Sequence, residues 1–153
     1  MPLFRRRRDP QPPTVSAPTE AELQWLEANH EIARALADAV GLAGVDVLEP
    51  ANLDRVFAAW LEQWQALPEE DRDDPNPYIN GVGIAFGQAL VDRLGMRWVV
   101  ASDEEGTELA VYRDPGDVLV YPPNLVAKRF VERETGFLEP LFDELEARLR
   151  ELG

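Results

Sequence analysis

Side chains able to do chemistry are few in this chain, and the densest set lies between Tyr121 and Arg133. Lys128 and Arg129 are adjacent cations in a strongly acidic background, and Arg133 falls one turn beyond Arg129 on the same expected helix. Asn124, just past Pro122 and Pro123, is placed to cap that helix, which runs through Glu132, and its first-turn amides come close to Tyr121 at the end of a strand. Read for function, Tyr121, Asn124, Lys128, Arg129 and Arg133 form a small anion- or carboxylate-recognition patch. Read for structure, the cations complement the carboxyl end of their helix and pair with Glu132 or Glu134. The helix dipole favours the second role.

Other chemistries are excluded or poorly supplied. The chain has no cysteine, which removes thiolate nucleophiles, thiolate zinc sites and disulfides. His30 is the sole histidine, and the serines are Ser16 and Ser102, so no nucleophile–base arrangement is expected. A metal would have to rely on carboxylates, one imidazole and backbone oxygens. Counted as a calcium loop from Asp71, the acidic connection PEEDRDDPNP places Asn76 at position six and Val82 at position twelve, where glycine and glutamate are needed. No metal and no cofactor are therefore expected. Asp103, Glu104, Glu105 and Glu108 cluster at one hairpin, and an exposed hairpin is acidic for solvation.

The stretch NGVGIAFGQALVDRLG, residues 80–95, has the glycine density of a phosphate-cradling loop. A dinucleotide fingerprint needs a hydrophobic strand directly before its first glycine, and DDPNPYIN is not one. Asn76 followed by Pro77 starts a helix, with Asn as N-cap and Gly95 closing it. Wound as a helix, this segment is apolar nearly all round apart from Gln88, Asp92 and Gly81, as befits a central helix. Gly81, Gly83 and Gly87 each cost about 1 kcal/mol relative to alanine, so close backbone approach must offset them.

The elements around that helix follow from periodicity. Thr19 and Glu22 form a capping box that opens a helix ending at Gly41, with Trp25, Ile32, Ala33, Leu36, Ala39 and Val40 inward and His30 on the flank. A second helix after Pro50 carries Leu53, Val56, Phe57, Trp60, Leu61, Trp64 and Leu67 on one stripe. RWVVAS, TELAVYR and DVLVY then read as a three-stranded antiparallel meander, joined by a hairpin loop at 103–106 and a type II turn at 114–117. Beyond the short helix, a last one runs with Leu138, Leu141, Leu145, Leu149 and Leu152 inward.

Residues 1–18 read as a disordered, basic, proline-rich lead-in and 19–153 as one domain. The net charge of −14 divides into +3 on residues 1–9 and −17 on the rest, so the body repels nucleic acid and favours a basic partner. The amino terminus has no apolar core of a secretory signal, and no run is long enough to span a bilayer, which predicts a cytoplasmic protein. Phe4 with Arg5, Arg6, Arg7 and Arg8 supplies one signal for weak peripheral contact with an anionic membrane, where stable anchoring needs two.

From GVGIAFGQALVDRLGMRWVV through TELAVYRDPGDVLVYPPNLVAKRF, the chain resembles a bacterial family of uncharacterised domains, numbered 3806 among the domains of unknown function. The likeness covers about the C-terminal half, Gly81 to roughly Phe142, through the Gly83/Gly87 helix, Trp98, the hairpin, and the proline and Lys-Arg pair after the last strand. These motifs imply a fold and no chemistry. The expectation is an α+β domain: a helical N-terminal half, a three-stranded antiparallel meander and two C-terminal helices. Its expected function is non-enzymatic protein binding, as an adaptor, chaperone-like or immunity-protein-like module. The alternative is an enzyme or small-anion sensor using Asn124, Lys128 and Arg129.

Overall fold

The computed structural model describes residues 13–152. They run in the order β1 (Thr14–Ser16), α1 (Glu20–Ala39), α2 (Pro50–Ala66), α3 (Asn76–Leu94), β2 (Arg97–Asp103), β3 (Gly106–Arg113), β4 (Val118–Val120), α4 (Pro122–Val131) and α5 (Leu138–Leu152). A 3-10 turn at Glu69–Asp71 interrupts the acidic connection. The class is α+β, as the pattern predicted.

The sheet is antiparallel in the order β1-β2-β3-β4, so the expected meander has a fourth strand. Thr14, Val15 and Ser16 pair with Ser102, Ala101 and Val100. Three residues with prolines on both sides carry no legible alternation, and prolines are confined to an edge such as this because they cannot donate to a ladder. Trp98 and Val111 face the helices, while Val99, Ala101, Ala110 and Tyr112 form a second apolar cluster on the outer face with Val15, Leu119 and Tyr121. The 114–117 turn is not the expected type II. Its Asp114–Pro115 peptide is cis, and Gly116 and Asp117 both take positive φ, 99° and 51°.

Helix α3 packs against every other helix of the fold and against β2 and β3. Its glycines are sites of close approach. A Cβ on Gly83 would lie 2.6 Å from Pro123 Cα, and one on Gly87 would lie 2.4 Å from the Trp98 ring. Bare backbone at those two positions lets α4 and β2 seat directly on α3. The Trp98 indole then donates to Gln88 Oε1 at 2.9 Å, and Gln88 donates to Asp92 at 2.9 Å, which accounts for the narrow polar strip of the helix.

Three sequence expectations need correction. In α1 the buried residues are Leu26, Asn29, Ala33, Leu36 and Ala37, so the apolar stripe is phased on Leu26 and Trp25 lies outside it at 41% exposure. Leu152 is 42% exposed where an inward position was expected, and Phe142 takes a core place instead. Helix α3 begins at Asn76 with Pro75 before it, and Asp74 Oδ1 accepts from the Asn76 amide at 3.0 Å, so Asn76 is not the cap.

The start of α5 is capped from outside its own segment. Asp54 of α2 accepts from the Leu138 amide at 2.8 Å and from the Glu139 amide at 2.9 Å, satisfying two donors that a helix start leaves open. Among the described residues no helix is long and apolar enough to cross a membrane.

Candidate functional site

The capping box predicted at Thr19 is present. Thr19 donates through its amide and its hydroxyl to Glu22 Oε1, and the Glu22 amide donates to Thr19 Oγ1. This fixes the first turn of α1 and with it Ala21, Glu22 and Trp25, which form one wall of a groove of about 490 Å³. Thr107, Glu108 and Leu109 of β3 line it next, with Asn80 of α3 behind them. Tyr121, Pro123 and Asn124, where β4 gives way to α4, complete it.

Two features of the fold build this groove. The Gly83–Pro123 contact locks the start of α4 onto α3. Pairing of β3 with β4 stops at Val111↔Val120, so among the described residues β3 has no strand beside it on that edge at 107–109. The arrangement offers the edge of a strand, two aromatic rings at Trp25 and Tyr121, and carboxylates from Glu22 and Glu108. Chemically it suits an extended chain with positive charge.

Of the expected anion patch, Tyr121 and Asn124 are in the groove and the cations are not. Helix α4 starts at Pro122, because two prolines fit the first helical positions where no amide is needed. Asn124 therefore sits inside the helix rather than at its cap, and its amide donates to Glu108 Oε2 at 3.2 Å. At the other end α4 stops at Val131, and Arg133 takes φ 58° in a reversal outside the helix, not one turn along it. The Arg133 guanidinium stacks on Phe130 and Trp64, 4.5 and 5.5 Å from the ring centroids. Arg129 Nε lies 3.4 Å from Glu134 Oε2, as the structural reading of this segment anticipated, and its guanidinium is 5.7 Å from the Phe137 ring. Lys128 is exposed. Phe4, Arg5, Arg6, Arg7 and Arg8, the expected membrane contact, lie outside the described residues.

Arginines do gather elsewhere. Arg93, Arg113 and Arg150 line a depression of about 360 Å³ together with Glu146. Arg93 is 3.2 Å from Glu49, and Arg150 is 3.6 Å from Glu146. Among the described residues no three histidine or acidic side chains converge as metal ligands would.

Several titratable groups that do not line the groove depart from ordinary behaviour. Burial, then Arg34, lowers the pKa of His30, whose Nε2 is buried without a hydrogen bond among the described residues. Hydrogen bonding to Asp114 and then to Asp117, at 2.7 and 2.8 Å, holds the Tyr112 hydroxyl well above the usual phenol range. Burial outweighs the two amide hydrogen bonds to Asp54 and raises its pKa.

Trp25, Glu22, Asn80, Thr107, Glu108 and Leu109 were not expected to form a site. The one legible signal was Trp25, a large aromatic one residue off the stripe that Leu26, Ala33 and Leu36 define.

A family model described as Domain of unknown function (DUF3806) matches residues 61–142. The match starts in α2 at Leu61 rather than at Gly81, so it takes in the acidic connection as well as α3, the hairpin and α4. No curated protein and no solved structure matches the chain.

Proposed function

The chain belongs to the DUF3806 family, a domain of unknown function, and from this premise we propose that it is a non-enzymatic protein-binding module whose groove takes an extended basic segment of a partner protein. The observation that carries the reading is the edge of β3 at 107–109, flanked by Trp25 and Tyr121 and overlooked by Glu22 and Glu108. A peptide laid along that edge makes main-chain hydrogen bonds to β3, and its alternate side chains reach the aromatic wall. Its cations meet carboxylates, and the −17 charge of residues 10–153 steers it in. An adaptor or a chaperone for a basic client fits this description.

The test is selection of a displayed random nonapeptide library on the full chain, with the Trp25→Ala, Glu108→Lys double variant as the counter-target. The expected winners are arginine- or lysine-bearing, β-prone peptides that shift the amide resonances of Thr107, Glu108 and Leu109. No enrichment, or equal enrichment on the variant, would overturn the reading.

The alternative, small-anion sensing, lacks convergence at Asn124, Lys128 and Arg129, whose side chains serve opposite ends of α4. What favours an anion site is the arginine set at Arg93, Arg113 and Arg150. Titration with inorganic phosphate, followed by the resonances of those three side chains, separates this reading from the peptide groove.

A further inference from the structure

Two carboxylates in the groove have no counter-charge. Among the described residues Glu22 and Glu108 are the charged side chains that line it, and neither belongs to an ion pair there. Each is held by one oxygen. Glu22 Oε1 accepts from the Thr19 amide at 2.7 Å and from its hydroxyl at 2.9 Å, and Glu108 Oε2 accepts from the Asn124 side-chain amide at 3.2 Å. The other oxygen of each carboxylate has no hydrogen bond among the described residues, so both groups are oriented in advance and still able to accept.

Trp25 stands next to Glu22, three residues along and on the same face of α1. Among the four tryptophans, Trp60 and Trp64 pack against one another and against Phe130, and Trp98 donates its N–H to Gln88. Trp25 has no ring contact and no side-chain hydrogen bond among the described residues, and it is 41% exposed at the groove wall. An indole face and an open carboxylate oxygen thus lie side by side.

We infer that Trp25 and Glu22 form a guanidinium subsite that selects arginine over lysine in the bound segment, an inference that rests on the groove as the peptide site and names the side chain it takes. A guanidinium is planar and weakly hydrated, so it stacks on an indole at little cost in lost water. Its N–H donors lie in its own plane, so a group stacked on Trp25 still donates edge-on to Glu22. An ammonium is compact and strongly hydrated and gains less from the ring. Glu108, on β3, adds a negative potential to which any cation responds, and so supplies affinity without that choice.

The test uses the full chain and two probes. One is N-acetylarginine methylamide, titrated to high millimolar concentration, and the other is the hexapeptide acetyl-Val-Thr-Arg-Val-Thr-Val-amide, each with lysine and citrulline counterparts. The arginine probes should shift the Trp25 indole N–H resonance. Hexapeptide affinity should fall roughly fivefold with lysine, and roughly tenfold or more with citrulline, which keeps the shape and loses the charge. Trp25→Leu should erase the arginine–lysine difference. Glu22→Gln preserves the capping box, where glutamine serves as well, and should lower arginine affinity several-fold. Glu108→Gln should weaken the arginine and lysine hexapeptides by the same factor.

Equal affinity for arginine and lysine, or a preference that survives Trp25→Leu, would overturn the subsite even if the hexapeptides shift the Thr107, Glu108 and Leu109 amides and so support the groove. Hexapeptides that leave those amides unmoved would overturn the groove reading instead. In that event a Trp25 shift specific to N-acetylarginine methylamide would support the subsite alone, and its absence would overturn both.

Discussion

Replacing Gly83 with alanine tests whether close approach, rather than flexibility, explains glycine in the central helix. Alanine in a helix interior gains about 1 kcal/mol over glycine. Against that gain, the new Cβ would sit 2.6 Å from Pro123 Cα, 2.8 Å from Pro123 N and 3.1 Å from the Pro122 carbonyl carbon. All three are backbone atoms of the first turn of α4, which cannot rotate aside as a side chain would. Carbon contacts are optimal at about 3.5–4.0 Å, so α4 must withdraw by about 1 Å from α3 along its first turn. Overpacking of this kind costs roughly 1–3 kcal/mol, and an obstructing backbone places this site at about 3. The net expectation is a loss of about 2 kcal/mol, or about 4–8 °C in Tm for a domain of this size. Gly81→Ala is the matched control, because its Cβ would meet the Ile32 side chain, with Cγ2 at 2.9 Å, and a side chain can give way. Urea and thermal unfolding of both variants and wild type are the assay. Gly83→Ala as stable as wild type, or no less stable than Gly81→Ala, would refute the packing argument.

Other expected outcomes follow from single contacts. Asp54→Ala strips the acceptor from the Leu138 and Glu139 amides and should cost about 2 kcal/mol in urea unfolding at pH 7, the upper range for a lost helix cap. The raised pKa of Asp54 means that the folded state holds this proton more tightly than the unfolded chain does. Its contribution is thus full below the ordinary value of 3.8 and declines as pH rises through the folded value. The wild-type advantage over Asp54→Ala should therefore widen on acidification, measured as the difference at each pH. His30 behaves in the opposite sense. Its folded pKa is lowered, chiefly by burial and then by Arg34, with Glu27, Glu31 and Asp92 opposing. Its contribution is present above 6.5 and lost as pH falls below it, so the stability difference between wild type and His30→Gln should shrink between pH 7 and pH 5. Trp25→Ala, at a residue 41% exposed, should change stability by no more than about 0.5 kcal/mol. The same change should weaken binding of a selected basic peptide roughly thirtyfold by fluorescence polarisation.

Much of the fold was legible because its signals are local. The capping box at Thr19 and Glu22, the stripe from Leu53 to Leu61 and the closing Gly95 each depend on residues within a few turns of one another. The glycine run was legible by the same logic, since a helix start at Asn76 and Pro77 leaves no strand to feed a phosphate loop. Of the groove, only Tyr121 and Asn124 were visible in advance, and for a different chemistry. The structure places Tyr121 and Asn124 at the start of α4, Lys128 and Arg129 in its last turn and Arg133 beyond it, and spacing along the sequence does not say which neighbour each end of a helix meets.

By itself, then, the sequence determined the helices, the hairpin, the centrality of α3 and an inventory with no cysteine and a single histidine. These rest on backbone propensity and period, which are short-range. Tertiary structure alone decided that Thr14–Ser16 joins the sheet, that Trp25 faces out beside Tyr121, that Asp54 caps a helix 84 residues away, and that Arg133 leaves the helix to stack on Phe130 and Trp64. Each depends on surfaces brought together from distant parts of the chain, where burial of apolar area and pairing of backbone donors outweigh any local preference.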